Sequence, residues 1–210
     1  MDLVDVVIPV YNEEKDLPRS IETLRRFLQD NLPSAWQITI ADNGSTDSTL
    51  AVARTLSQQY PGVGYTHLDL KGRGRALKKA WLESRADILS YMDVDLSTGL
   101  ESFPPLVQAI REGYDIAIGS RLMAQSRIQR SFKREMTSRV YNLLIRAMFF
   151  SHFVDAQCGF KAISRRAAQA LLPLVQDNAW FFDTELLLLA EMKGYRIKEL
   201  PVKWLEDPDT

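Results

Sequence analysis

The chain has 210 residues, 46% hydrophobic and 25% charged, with a formal net charge of −1. That length and balance suit one domain with a full core, and they exclude a disordered, collagenous or nucleic-acid-binding chain. The single cysteine, Cys158, excludes an internal disulfide framework and fits a reducing compartment.

Asp2 and Asp5 stand where a secretory leader carries basic residues, and Pro9 interrupts the first apolar run, so no leader is expected. No run approaches the roughly 18 apolar residues that span a bilayer, so no transmembrane segment is expected within the chain. Residues 3–10 (LVDVVIPV) read as a buried, valine-rich strand. After a polar turn, residues 17–28 place Ile21, Leu24, Phe27 and Leu28 at helical spacing. Residues 36–41 are a second strand running into DNGSTDST, a helix N-terminus with several capping side chains, and the helix follows over 50–59. A third strand over 63–68 leads to a helix over 73–85, opened by the glycines of KGRGRA, and a fourth strand covers 87–92.

The second half is less regular. A helix is predicted over 103–112, a strand over 114–118 ending in GSR, and a polar, arginine-rich segment over 125–135. Helices are predicted over 137–150, 165–172 and 183–193, the last closed by Gly194. Strands are predicted over 160–163 and 195–202. Alternating strands and helices predict an α/β fold with a mostly parallel sheet. In such sheets ligands sit beyond the carboxyl ends of the strands. YNEE, DNGSTD and DVD fall there, after the first, second and fourth strands.

The stretch YMDVDLST ends an apolar strand with Asp93 and Asp95 one residue apart. Extended alternation points both carboxylates to one side. A hard cation such as Mg²⁺ or Mn²⁺ takes one or two carboxylates together with substrate phosphates. The same residues also read as an exposed acidic pair, with Ser97 or Thr98 capping the next helix. Asp42 suits a hydrogen bond to a base N–H, and equally an Asx turn with an N-cap. Glu13 and Glu14 suit a nucleoside contact or first-turn negative charge. KGRGRA suits a pyrophosphate, although it is neither a Walker A loop nor G-x-G-x-x-G. His67 and His152 read as structural.

The motifs VVIPVYNEEKDLP, ADNGSTDST, KGRGRA, MDVDLST, AIGSR and DAQCGFKA occur in an order and spacing that resemble the family-2 inverting glycosyltransferases. More narrowly, the set resembles the dolichyl- or polyprenyl-phosphate hexose synthases, over nearly the whole chain. The resemblance implies one GT-A catalytic domain over residues 1–210 and a nucleotide-diphosphate sugar donor, UDP-glucose first and GDP-mannose next. The acceptor it implies is a polyprenyl or dolichyl phosphate, with inversion. A sugar or protein hydroxyl is the alternative acceptor, and Asp183 or Glu185 would then serve as base.

By that resemblance Pro9, Tyr11, Glu13 and Asp42 hold the nucleoside. Asp93 and Asp95 are the D-x-D pair for Mg²⁺ or Mn²⁺, with Asp95 favoured for direct metal contact. Arg121, Arg134 and Ser138 receive the acceptor phosphate. Gln157, Lys161, Asp183 and Glu185 lie near the sugar or the site wall. Arg73 and Arg75 fall where many relatives carry GKG. A lipid acceptor implies a peripheral position at the cytoplasmic face of a membrane. Residues 140–153 (VYNLLIRAMFFSHF) follow cations at Arg127, Arg130, Lys133, Arg134 and Arg139. That pattern suits an interfacial helix with a basic lead-in, or a core helix beside a solvated basic loop.

Overall fold

Strands rich in branched apolar residues and helices with one apolar stripe bury their surfaces against each other, and here they do so in three layers. The computed structural model describes residues 2–129 and 132–205, and of residues 129 and 132–134 the backbone alone. The strands are β1 (Leu3–Val10), β2 (Ala35–Asn43), β3 (Val63–Leu68), β4 (Ile88–Met92), β5 (Ile116–Ser120), β6 (Arg127–Gln129), β7 (Phe160–Ser164), β8 (Ile197–Pro201) and β9 (Lys203–Leu205). The helices are α1 (Leu17–Asn31), α2 (Thr49–Gln59), α3 (Arg73–Glu83), α4 (Phe103–Arg111), α5 (Phe132–Phe149), α6 (Arg165–Leu171) and α7 (Phe182–Met192).

Seven strands form one sheet in the order β3-β2-β1-β4-β7-β5-β8. Six run in one direction, and β7 is antiparallel to both of its neighbours. One face carries α1, α2 and α4, whose Leu24, Leu56 and Phe103 pack with Val6 and Ile38. The other carries α3, α6 and α7, whose Trp81, Leu171 and Phe182 pack with Val7 and Tyr91.

The reversal of β7 matters for function. Parallel strands deliver their last residues to the ligand edge. β7 runs the other way, so its first residues arrive there. Its register sets Phe160 against Met92 and Lys161 against Tyr91. The segment leading into β7 therefore meets the D-x-D motif.

Two three-residue strands, β6 and β9, pair in parallel away from the main sheet. Part of the segment read as an arginine-rich loop is thus β6, and α5 begins at Phe132 rather than near Thr137. Gly194 adopts the left-handed conformation (φ +75°) and closes α7, its N–H donating to Glu191. Among the described residues no helix is long and apolar enough to cross a membrane.

Candidate active site

The turns after β1 and β2 are tied into one unit. Asn12, held at φ +58°, donates its backbone N–H to Ser45 Oγ (3.0 Å), and its side-chain oxygen accepts from Thr46 N (2.8 Å). Glu13 N donates to Thr49 Oγ1 (2.8 Å). Glu14 and Asp47 accept from Ser48 N and Thr49 N, both at 2.9 Å, and so satisfy the open N-terminus of α2. Asp42 is fully buried, its Oδ2 2.6 Å from His67 Nδ1. His67, read as structural, pairs with Asp42 across the β2–β3 ladder.

Where β4 ends, Arg73 on α3 bridges two carboxylates, at 2.6 Å to Asp93 and 2.9 Å to Asp183. Asp183, in the first turn of α7, also accepts from the Tyr91 hydroxyl and pairs with Lys161 Nζ at 2.9 Å. Burial by itself would raise the Asp183 pKa, but the Lys161 and Arg73 charges and the Tyr91 hydroxyl bring it below the usual carboxylate range. Burial likewise opposes the Arg73 charge, and Asp93 and Asp183 nonetheless hold its pKa well above the ordinary arginine value. A cation is thereby fixed at the mouth of the site, with 13% of its side chain exposed beside an Asp93 that is 47% exposed.

The loop before β7 adds a second pair. Arg121 forks onto the buried Asp155 through Nε and Nη2, both at 2.9 Å, and donates its backbone N–H to the same carboxylate (2.9 Å). Burial opposes the Arg121 charge, while the Asp155 hydrogen bonds and the nearby carboxylates, Asp93 among them, keep its pKa raised. Cys158 is buried behind this pair, and burial pushes its thiol up to about 12, so it is inert. At Gly159 a Cβ would overlap the Asp93 carboxylate. Only glycine lets β7 start against Asp93.

A cleft of about 740 Å³ runs past Pro9, Tyr11, Glu13, Asn43, Lys71, Arg73, Asp93, Asp95 and Trp180, and the Arg121–Asp155 pair is not part of its lining. The cleft lining carries both signs of charge. Burial, followed by the Asp16, Asp95 and Asp47 charges, raises the pKa of Glu13. Arg19, Lys71 and Arg73 supply positive charge to the same cleft. Lys71 Nζ rests 3.4 Å from the centre of the Tyr11 ring.

Among the described residues no group of three or more His, Cys, Asp or Glu is gathered for a metal. Asp93 and Asp95 stand together on the cleft wall, and paired carboxylates of this kind suit a hard cation such as Mg²⁺ or Mn²⁺. Asp95 suits direct metal contact better than Asp93. Its Oδ1 accepts from Ser97 N (3.0 Å), and its other oxygen has no partner among the described residues. Asp93 is engaged by Arg73.

Pro9, Tyr11, Glu13, Arg73, Asp93 and Asp95 come together on the cleft wall, and Asp42, Lys161 and Asp183 stand behind it. Glu185 is used otherwise: it accepts from Gln176 N and Asp177 N and holds the loop before α7. Gln157 donates to Thr184 Oγ1 (2.7 Å) and to the Trp180 carbonyl (3.2 Å). The Ser138 hydroxyl is buried in α5 and has no hydrogen-bond partner among the described residues. The Arg134 side chain and Arg130 lie outside the described residues. Asn43, Asp155, Gly159 and Trp180 were not singled out in the sequence. Asp155 and Gly159 stood inside the DAQCGFK motif, and Lys71, read within KGRGRA as a pyrophosphate cation, lines the cleft.

The glycosyl transferase family 2 profile matches residues 5–172, and the chain belongs to that family. Glycosyltransferase AglD of Haloferax volcanii is 40% identical over 210 residues, which are 99% of this chain and 34% of AglD. Dolichyl-phosphate beta-glucosyltransferase ALG5C of Trichomonas vaginalis is 29% identical, over 97% of this chain and 64% of that protein. The dolichyl-phosphate beta-glucosyltransferase of Saccharomyces cerevisiae is 28% identical, over 97% of this chain and 67% of that protein. The chain thus spans from about a third to two thirds of these curated relatives. Among solved structures, glucosyl-3-phosphoglycerate synthase from Mycobacterium tuberculosis, in complex with Mn²⁺, UDP and phosphoglyceric acid, superposes with a TM-score of 0.72 at 19% identity, over 97% of this chain and 69% of that one. The fold is GT-A.

Proposed function

We propose that this chain is a single catalytic domain that transfers glucose from UDP-glucose to a polyprenyl or dolichyl phosphate, with inversion and with Mg²⁺ or Mn²⁺. The observation that carries the reading is the state of the two carboxylates that a hydroxyl acceptor would need as base. Asp183 is buried, held by Arg73, Lys161 and Tyr91, and its pKa is depressed. Glu185 spends its carboxylate on backbone N–H groups. Neither is poised to take a proton. A phosphate nucleophile is already anionic and asks for cations instead; Arg73 is the fixed cation on the cleft wall, and Arg121 is proposed as a second one. Arg134 and Ser138 are proposed as further contacts to the acceptor phosphate.

The metal, when bound at Asp95 with Asp93 beside it, neutralises charge on the diphosphate leaving group. The chain's own part is to orient the reactants. Pro9, Tyr11, Glu13 and Asp42 form the nucleoside end, and Lys71 and Arg73 face the diphosphate. Gln157 and Lys161 fix the wall beside the sugar. The glucosyl assignment draws on the names of the dolichyl-phosphate relatives, and the metal and UDP on the mycobacterial synthase, which was solved with both.

A lipid acceptor is met at a bilayer surface, and α5 offers a face for it. Met136, Val140, Leu143, Leu144 and Met148 form an exposed apolar stripe that continues into Phe149 and Phe150. The buried Asn142 and Ile145 lie on its other side. Such a face suits peripheral contact with the cytoplasmic leaflet.

The test is to incubate the chain with UDP-glucose or GDP-mannose, each metal and a polyprenyl phosphate, and to identify the product by mass. A hexosyl phosphoryl polyprenol formed from UDP-glucose is the expected result. Absence of glycolipid with every donor would contradict the assignment.

A further inference from the structure

We infer that Trp180 is the platform on which the donor's hexose rests. This deepens the donor reading above and depends on it. Trp180 lines the cleft together with Arg73 and Asp93, yet 70% of it is exposed. It is not a loose loop tip. Its carbonyl accepts from Gln157 Nε2 (3.2 Å). Two residues earlier, the Asn178 carbonyl accepts from Arg75 N (3.2 Å) at the start of α3. Glu185 accepts from Gln176 N (3.0 Å) and Asp177 N (2.7 Å), and Asp177 Oδ1 accepts from Ala179 N (2.7 Å). Gly72 lies so close under the Asn178 carbonyl that any side chain there would collide with it. The loop is thus fixed from both sides, and the indole it presents is left uncovered.

The indole lies beside Arg73, whose guanidinium carbon is 5.0 Å from its ring centre. Arg73 is in turn locked by Asp93 and Asp183. An exposed, rigidly held aromatic therefore stands next to the fixed cation that faces the diphosphate. A hexose attached beyond that diphosphate reaches this end of the cleft. The C–H face of a hexopyranose is apolar, and an indole offers a large, flat apolar surface with few rotatable bonds. The hydroxyls of the other face are left to Asp93 and the polar wall.

The experiment measures binding of UDP and of UDP-glucose, each with Mn²⁺, by calorimetry to the wild type, Trp180→Ala and Trp180→Phe. Trp180→Ala should weaken UDP-glucose about tenfold, the effect of losing one well-packed aromatic contact, and leave UDP unchanged. Trp180→Phe should recover most of the loss. Equal weakening of UDP and UDP-glucose would place the action of Trp180 on Arg73 and the phosphates and overturn the platform. Unchanged binding of both by Trp180→Ala would overturn it as well. A wild type that binds UDP but gains nothing from the glucose would remove the platform's ligand while leaving the nucleotide site standing. A wild type that binds neither would overturn the donor reading itself.

Discussion

Asp5 and Asp183 are both buried carboxylates, one toward the start of β1 and the other at the ligand edge of the same sheet, and they are satisfied in opposite ways. Asp5 accepts from Gln37 Nε2 (2.8 Å), Thr39 Oγ1 (2.8 Å) and Ser84 Oγ (2.5 Å), all neutral donors. Burial outweighs those bonds and raises its pKa. Asp183 has two cations and a phenol, and its pKa is lowered. The first arrangement stitches β1 and β2 to the segment after α3. The second holds Arg73 and Lys161 in place before any substrate arrives. Preorganised cations of this kind cost no reorganisation when two anionic reactants meet, and that is the use a transferase has for them.

The largest expected effect comes from breaking the charged arrangement. Asp183→Ala takes from the buried Lys161 its carboxylate partner and leaves Arg73 with Asp93 alone, and it should cost about 3–5 kcal/mol of stability, measured by urea unfolding, with transfer abolished. If it unfolds no more easily than Asp5→Ala, the contrast is lost. Asp95→Ala should separate function from stability. Its carboxylate touches only Ser97 N among the described residues, so stability should stay within about 0.5 kcal/mol, while metal-supported turnover falls on the order of 10²- to 10³-fold. Full turnover in chelator would sink the metal assignment.

Gly159→Ala should displace Asp93 from Arg73 at about 1–3 kcal/mol of overpacking, with a drop in kcat larger than any change in UDP affinity. A crystal structure of this variant with the Asp93–Arg73 pair intact would refute the seating role. The smallest effect belongs to Asp5. A raised folded pKa means that the stability linked to its protonated form is lost as pH rises through that value. Asp5→Asn should therefore change stability at pH 7 by no more than about 1 kcal/mol. Asp183 and Asp155 carry the opposite sign: their contribution is present above the unfolded pKa of about 3.9 and disappears as pH falls through the lower folded values. Urea midpoints across acid pH should fall steeply in the wild type and less in Asp183→Asn.

The first half of the fold was legible because its strands are apolar runs punctuated by Gly, Pro and Asn. The boundaries of β1, α2 and β3 match that reading to within a residue. The reversal of β7 was not legible, since no local pattern in FKAIS distinguishes its direction. β6 and β9, at three residues each, are too short to carry a period. The start of α5 was missed because FKRE is charged rather than apolar, although nothing in it breaks a helix. In the site, the D-x-D pair and Asp42 stood out by type and position. The Arg73–Asp183 bridge joins residues 110 apart in the chain, and the seat that Gly159 provides for Asp93 depends on the register of β4 and β7. Both are products of the topology, so they became visible only once the strands were in order.

The proposed acceptor needs charge compensation and no protein base. Polyprenyl phosphate and the corresponding polyprenol differ only in the group that attacks, so offering both with UDP-glucose and Mn²⁺ tests it most directly. Glucose is expected on the phosphate and none on the alcohol at any pH between about 6 and 9. Transfer to the polyprenol at a comparable rate, rising with pH as a base ionises, would contradict it.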